Sequence, residues 1–374
     1  MNINLHLLQV KTLKAVILAG GFATRLRPLS CTRPKILFPI LNKPLLQWTL
    51  ERLTKHKITE AILAVNHATE IMIRRQKIPN HGVHIKYSRD PLGIPLGTGG
   101  PIKKAEKLIG NNEPFLVLNG DIFADVNYTE IIKEHEEKDA VATIALYDVK
   151  NPSRYGVAVL TKNNRIKRFI EKPPKGTAPT NLINAGVYVF NPKIFNYLPK
   201  GKAVSMEREI FPKLANKGEL YGHVFNGLWS DIGKPEDFLK INKVLLASIS
   251  NKTKIKTIQE YKIVEPIACD KEVTIGENST IGPYTVIGRK AIIGKSTRII
   301  NSIIFPRATI SDSVFIENAI IGENTFIGKR VKIGKGCIIG DHVRIKDNIS
   351  ITDNVSICPA KEIIQDVLEP LHII

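Results

Sequence analysis

Two hydrophobic rhythms divide the chain. From Lys14 to about Leu246, short apolar and β-branched runs alternate with stretches whose apolar residues recur at helical spacing. Residues 14–19, 61–65, 115–119, 141–146 and 182–190 read as strands, and 44–55, 101–109, 128–138 and 206–216 as helices. Asn127 or Tyr128, followed by Thr129 and Glu130, supplies the start of the third helix. The alternation predicts an α/β domain with a Rossmann-like, mostly parallel sheet and helices on both faces. Such sheets bind ligands beyond the carboxyl ends of their strands.

Past a lysine-rich connector the rhythm changes. Isoleucine recurs at 275, 281, 287, 293, 299, then 304, 310, 316, then 321, 327, 333, 339, 345, 351 and 357, a step of six broken twice by five. Four residues after each, the side chain is commonly small or β-branched, as in Ser279, Thr285, Ala291, Thr297 and Thr325. Glycine often follows directly, as at 276, 282, 288 and 294. This is the hexapeptide repeat of a left-handed parallel β-helix, whose every sixth residue points into a narrow core; three hexads per turn give about five coils. Cys337 occupies a small inward position and is expected to fill that core. The expected partition is an N-terminal extension over 1–12, an α/β domain over 13–247, a linker over 248–262 and the β-helix over 263–374.

Composition narrows the partners. The 374 residues carry 54 basic and 35 acidic side chains, a net charge of +19, which suits an anionic partner. The basic residues are scattered, with no arginine-rich block, zinc-finger spacing or aromatic-basic RNA signature, so nucleic acid is not the expected partner. No apolar run reaches about 18 residues and no leader-like segment opens the chain, so neither a membrane nor export is expected and the setting is expected to be cytoplasmic. Four cysteines form no C-x-x-C pair and are expected as thiols.

Candidate chemistry collects where strands end. The first strand runs into Gly20-Gly21, then Arg25, then Arg33-Pro34-Lys35. Glycines allow a tight turn that offers N–H groups to phosphate oxygens, while Arg25 and Lys35 supply the charge a triphosphate needs. It is not a Walker A loop, which requires G-K-[ST]. The strand over 115–119 ends at Gly120-Asp121, placing a carboxylate where Mg2+ could be held against substrate phosphates, with Asp231 as candidate second carboxylate.

In order along the chain, the run Ala15 to Leu29, Arg33-Pro34-Lys35, Asn42-Lys43-Pro44, Leu96-Gly97-Thr98-Gly99-Gly100-Pro101, Asn119-Gly120-Asp121, Glu171-Lys172-Pro173, Asn184-Ala185-Gly186 and Asp231-Ile232-Gly233 resemble the sugar-1-phosphate nucleotidylyltransferases. The β-helix matches that family's usual second domain, so the resemblance spans nearly the whole chain. It implies a Mg2+-dependent transfer of a nucleotidyl group from a nucleoside triphosphate to a sugar 1-phosphate, releasing pyrophosphate. It further implies that Gly20, Gly21 and Arg25 hold the triphosphate, that Lys35 stabilises charge at the α-phosphate, and that Leu96, Gly97 and Thr98 line the base pocket. Asp121 and Asp231 would bind Mg2+; Lys172 the sugar phosphate; Glu171 the hexose hydroxyls; Asn184, Gly186 and Gly156 the sugar ring. The pattern Gly97 to Pro101, with Ser205 to Pro212, resembles the guanylyl branch that uses mannose 1-phosphate. UTP, dTTP or ATP with glucose 1-phosphate stays open, as does a catalytically silent regulatory paralogue that binds nucleotide sugars. Asp90 is the candidate acceptor for guanine N1 and N2. Ala23 departs from the family's usual glycine, and its methyl group asks for an ordinary φ there. The β-helix is expected to support homo-oligomerisation rather than acyl transfer, since the repeat runs almost unbroken and offers His342 with no long insertion.

Overall fold

The computed structural model describes residues 13–21, 23–249, 255–257 and 260–373; the expected N-terminal extension and part of the expected linker lie outside them. The described chain forms two compact units, one of residues 13–21 and 46–230, the other of 23–45 and 231–373.

The first unit is built on a nine-stranded mixed sheet. Its strands are β1 (Lys14–Leu18), β2 (Glu60–Val65), β3 (His84–Arg89), β4 (Phe115–Asn119), β5 (Ala142–Asp148), β6 (Gly156–Leu160), β7 (Ile166–Glu171), β8 (Leu182–Phe190) and β9 (Leu220–Val224). The order is β7-β6-β8-β4-β1-β2-β3, with β5 on β8 and β9 on β5. The β4-β1-β2-β3 half is parallel, as the alternating pattern predicts, and β8 runs antiparallel to β4, β5 and β6. Strands β1, β2 and β4 are nearly continuous apolar runs because helices cover both faces of such a sheet. Helices α1 (Leu45–Lys55), α2 (His67–Gln76) and α3 (Tyr128–Glu137) follow; α3 is capped by Asn127, whose side chain accepts from Glu130 N at 3.4 Å.

Two expected helices are broken. Residues 101–109 divide into Gly100–Lys104 and Glu106–Ile109, and 206–216 into a wide turn Met206–Ile210 followed by α4 (Phe211–Lys217). Pro212 lacks the N–H that a continuous helix would need, and it sits instead in the first turn of α4.

The second unit contains the β-helix, in which three sheets of seven, seven and six strands run along the repeat, parallel except where Ile255–Thr257 pairs antiparallel with Lys262–Val264, so the stack exceeds the expected five coils. Inward isoleucines stack coil on coil: Ile281 pairs with Ile299, then Ile316, Ile333 and Ile351. The two five-residue steps fall one above the other, so Ile287, Ile304 and Ile321 stay in register. At that corner Asn301 donates to Asn318 at 2.6 Å. The glycine after the isoleucine has a local cause. A Cβ on Gly276 or Gly288 would lie 2.7 or 2.5 Å from the backbone of the next coil. Cys337 is fully buried in this core and donates to Thr352 O at 2.9 Å, and burial pushes its thiol up to about 11.

Helix α5 (Pro235–Ile249) and residues 23–45 complete this unit. Strands Pro39–Ile40 and Lys43–Pro44 form a tight hairpin whose turn residues Leu41 and Asn42 both have positive φ, 47° and 66°. Phe38 packs edge-on against Phe238 of α5, which packs edge-on against Phe305 of the β-helix. Among the described residues, no helix is long and apolar enough to cross a membrane.

Candidate active site

In the first unit, expected site residues gather at strand ends. Gly20 follows β1, and its carbonyl accepts from Asn66 Nδ2 at 3.0 Å. Asp90 follows β3, with its Oδ2 only 2.7 Å from where a Cβ on Gly20 would sit. Only glycine lets that carboxylate approach so closely. Burial pushes the Asp90 carboxyl up, against an opposing pull from Lys104, and its Oδ1 is buried without a hydrogen-bond partner. Such an acceptor is costly to leave unmade and is suited to a ligand donor.

Leu96, Gly97 and Thr98 form a loop pinned to the segment before α4. Val204 N donates to Leu96 O at 3.1 Å and Gly99 N to Val204 O at 2.9 Å. Gly97 has φ +67° and presses on the Val204 carbonyl, a position that excludes any side chain. Thr98 Oγ1 donates to Glu207 Oε2 at 2.6 Å and accepts from Met206 N at 2.9 Å. Glu207 therefore joins the site residues, and sequence reading used it only as part of the Ser205 to Pro212 pattern.

Asp121 lies just beyond β4, half-buried, where Gly120 N donates to Leu18 O at 2.9 Å and carries the β1–β4 pairing one residue further. A register shift in the β8–β5 pairing falls between Asn184 and Tyr188. There Asn184 Nδ2 donates to the Tyr188 hydroxyl at 3.0 Å, its Oδ1 accepts from Gly186 N at 3.0 Å, and Asn119 Nδ2 donates to the same hydroxyl at 3.4 Å. Gly186 has φ +75°, and a Cβ would lie 2.9 Å from Asn119 Nδ2. The buried Tyr188 thus joins the end of β4 to Asn184, and sequence reading left it as an ordinary strand residue.

Gly156 and Glu171 are cross-strand partners in the β6–β7 hairpin, and a Cβ on Gly156 would lie 2.9 Å from Glu171 Oε2. Lys172 turns out of the strand with φ 47°, its N–H bonded to Tyr155 O at 3.0 Å and its Nζ 3.5 Å from Glu171 Oε1. The Glu171 side chain is 15% exposed against 57% for Lys172. Burial pushes the Glu171 carboxyl above the usual range, Lys172 pulls it back, and the Glu207 charge adds to the rise. Burial first, then Glu207, holds the Tyr188 hydroxyl well above its ordinary value. The result is a shielded carboxylate beside an exposed ammonium, able to accept from sugar hydroxyls while attracting a phosphate.

Arg25, Lys35 and Asp231 belong to the second unit. Arg25 sits in the turn Thr24–Leu26 and Lys35 opens the turn Lys35–Leu37, after Pro34 in extended conformation. Ala23 is a correction to the sequence reading: it adopts φ 51°, ψ 38°, the left-handed region, rather than an ordinary φ. Ser30 Oγ donates to its carbonyl at 2.7 Å and helps to hold a conformation that costs alanine about 1 kcal/mol. A Cβ on Gly233 would lie 2.9 Å from Asp231 Oδ2, so glycine there leaves room around the carboxylate. Among the described residues, no group of three or more His, Cys, Asp or Glu is placed to hold a metal by itself. Each of Asp121 and Asp231, taken by itself, has the donor chemistry for the other mode of Mg2+ binding, in which one or two carboxylates are completed by substrate phosphates and water.

Comparison with known proteins accounts for both halves. Residues 14–248 match the family model described as nucleotidyl transferase, and 263–373 match the GMPPB C-terminal domain. The chain is 37% identical over 268 residues to a mannose-1-phosphate guanylyltransferase catalytic subunit beta from Danio rerio, covering 71% of this chain and 74% of the relative. It is 36% identical over 272 residues to a mannose-1-phosphate guanyltransferase from Aspergillus oryzae, covering 71% and 74%. Among solved structures, HddC from Yersinia pseudotuberculosis is similar at TM-score 0.54 and 31% identity, covering 62% of this chain and 99% of that one. The same protein complexed with GMP-PN gives TM-score 0.53 and the same identity and coverage. With a strand-end site of this composition and a family match across most of its length, the chain belongs to the nucleotidyl transferase family of enzymes.

Proposed function

We propose that this enzyme transfers a guanylyl group from GTP to mannose 1-phosphate, yielding GDP-mannose and pyrophosphate with Mg2+ as cofactor. The observation that carries the sugar-phosphate assignment is the pairing of shielded Glu171 with exposed Lys172, across from Gly156, whose strand pairs in turn with the strand of Asn184 and Gly186 at Ile183 and Val157. Guanine is favoured by Asp90, whose unpartnered Oδ1 can accept from N1 and N2. The names of the relatives and the GMP-PN complex of the similar structure support the same choice.

In the proposed reaction a phosphate oxygen of mannose 1-phosphate attacks the α-phosphorus of GTP. A new P–O bond forms as the bond to the β-phosphate oxygen breaks, and pyrophosphate leaves in line. No general base is needed, because a phosphate monoester is already ionised near neutral pH. Both reactants are anions, so the protein's task is positioning and charge neutralisation. Arg25 and the Gly20-Gly21 backbone hold the triphosphate, Lys35 stabilises charge at the α-phosphate, and Lys172 orients the nucleophile. Glu171 and Asn184 fix the hexose, with Tyr188 keeping Asn184 in place and Glu207 holding Thr98 of the base loop. Mg2+, when bound, supplies further neutralisation and would be held by Asp121 and Asp231. Self-association through the β-helix and a cytoplasmic setting belong to the same proposal.

The test is pyrophosphate release with Mg2+ across GTP, UTP, dTTP, ATP and CTP, each paired with mannose 1-phosphate, glucose 1-phosphate and N-acetylglucosamine 1-phosphate. The expected result is highest kcat/KM for GTP with mannose 1-phosphate. Asp90→Ala should reduce the preference for GTP over ATP by about tenfold, the worth of one lost donor–acceptor match. A preference for another pair would overturn the substrate assignment.

A further inference from the structure

We propose that Asp341 and Glu323 of the β-helix are positioning residues for nucleotidyl transfer, acting through Arg33 to hold the loop that carries Arg25 and Lys35. This rests on the reading of Arg25 and Lys35 as triphosphate-binding residues. Arg33 stands in the Arg33-Pro34-Lys35 motif, two residues before Lys35, yet its side chain is engaged with the β-helix. Its Nη2 donates to Asp341 Oδ2 at 2.8 Å and to Glu323 Oε2 at 2.7 Å, and its guanidinium carbon lies 4.6 Å from the centre of the Phe305 ring. Arg33 is 8% exposed and Asp341 3%. Thr32 Oγ1 donates to the same Asp341 Oδ2 at 2.6 Å, and Arg307 pairs with the other oxygen of Glu323. Beyond Lys35, Leu41 N donates to Asn242 Oδ1 at 2.8 Å and Asn42 Nδ2 to Ile287 O at 2.9 Å. Lys35 therefore lies on a span of chain fixed on both sides.

The repeat supplies its own comparison. Asp312, Asp347 and Asp353 each accept, through Oδ1, the backbone N–H of a lysine one coil earlier, Lys295, Lys329 and Lys335, at 2.9, 2.8 and 2.7 Å. Asp341 does the same for Glu323 N at 2.7 Å. Of these four aspartates only Asp341 is buried, and only Asp341 gives its second oxygen to Thr32 and Arg33. Capping a coil needs one carboxylate oxygen, so the second set of bonds serves the loop. A buried arginine stripped of its carboxylates is strongly unfavourable. Loop and coil consequently share a single arrangement, and charge placement at the α-phosphate depends on a carboxylate 308 positions along the chain from Arg33.

Asp341→Asn tests this while keeping the Oδ1 acceptor and the side-chain size. With GTP and mannose 1-phosphate, kcat should fall about ten- to a hundredfold, the scale of a displaced catalytic group, with KM for the sugar phosphate unchanged. Hydrogen exchange over residues 23–38 should accelerate. Asp347→Asn, the same substitution at a coil-capping aspartate that makes no loop contact, should leave kcat and that exchange as in the unsubstituted enzyme. Arg33→Met should reproduce the Asp341→Asn defect, and the double variant should be no worse than either single one. If Asp341→Asn does not fold, Arg33→Met carries the same two readouts. Unchanged exchange over 23–38, or a kcat within twofold of Asp347→Asn, overturns the proposal. No turnover by the unsubstituted enzyme with any nucleotide and sugar phosphate overturns the function it rests on. The exchange readout separates that failure from failure of the clamp.

Discussion

The two units solve the same problem of placing polar groups in opposite ways. In the β-helix, polar side chains recur at fixed corners and repeat one job, as when Asp312, Asp347 and Asp353 cap successive lysine N–H groups. In the sheet unit the polar groups near the strand ends follow no repeat: Asn184 links the Gly186 N–H to the Tyr188 hydroxyl, and Glu171 is the cross-strand partner of Gly156. Repetition spreads stability over many equivalent contacts. Singular placement concentrates function in a few residues.

The sharpest way to break that contrast pairs one substitution from each region. Asp121→Ala should lower kcat about a hundredfold or more with little change in melting temperature, as loss of a charge-organising group does. Ile316→Ala, at a fully buried β-helix position, should lower stability by about 2–4 kcal/mol through cavity formation. Its kcat, measured on folded protein, should stay within about threefold. Steady-state kinetics and chemical denaturation of both variants read the difference; a catalytic collapse in Ile316→Ala would erase it.

A second prediction concerns pH. His135 on α3 is 2% exposed, its Nδ1 is 2.9 Å from Thr143 Oγ1, and burial pushes its pKa down from 6.5 to about 4. The unfolded chain therefore binds the proton first. The stabilisation is full above pH 6.5 and is lost as pH falls toward 4, by up to about 3 kcal/mol. Denaturation midpoints between pH 7 and pH 4.5 should show this loss, and His135→Gln should flatten it. No such site is expected in the β-helix core, whose inward polar positions are hydroxyls such as Thr285 and Thr297.

The smallest effect lies in the loop. Ala23→Gly relieves left-handed backbone strain but loosens the unfolded chain, so stability should change by less than about 1 kcal/mol. Thermal denaturation with kinetics checks that this position is tolerant.

How much could be read in advance follows the same division. The β-helix was legible at its inward isoleucines from 275 to 357, because an inward position every sixth residue admits few alternatives, and its two irregular steps stack without disturbing the register. The strands Lys262–Val264, Ile267–Cys269, Glu362–Ile363 and His372–Ile373 at its ends were not read, because they fall outside that isoleucine run. Strands β1, β2, β4, β5 and β8 were legible as apolar runs. Strand β3, with the sequence HIKYSR, was not, since an edge strand needs no continuous apolar face. Site residues with unusual backbone demands, such as Gly97 and Gly186, stood out in motifs. Tyr188 did not, because the register shift that turns its hydroxyl toward Asn119 and Asn184 is a property of strand pairing and leaves no mark on local sequence. Arg33 was visible as a motif residue, but its engagement with Asp341 spans 308 positions and no local pattern encodes it.

The most direct test of the central claim is phosphorus NMR of GTP, mannose 1-phosphate and Mg2+ incubated with the unsubstituted enzyme. The account predicts pyrophosphate and a nucleotide-sugar diphosphate appearing in equal amounts as both substrates disappear. Intact GTP and mannose 1-phosphate, from folded protein that still binds GDP-mannose, would contradict it.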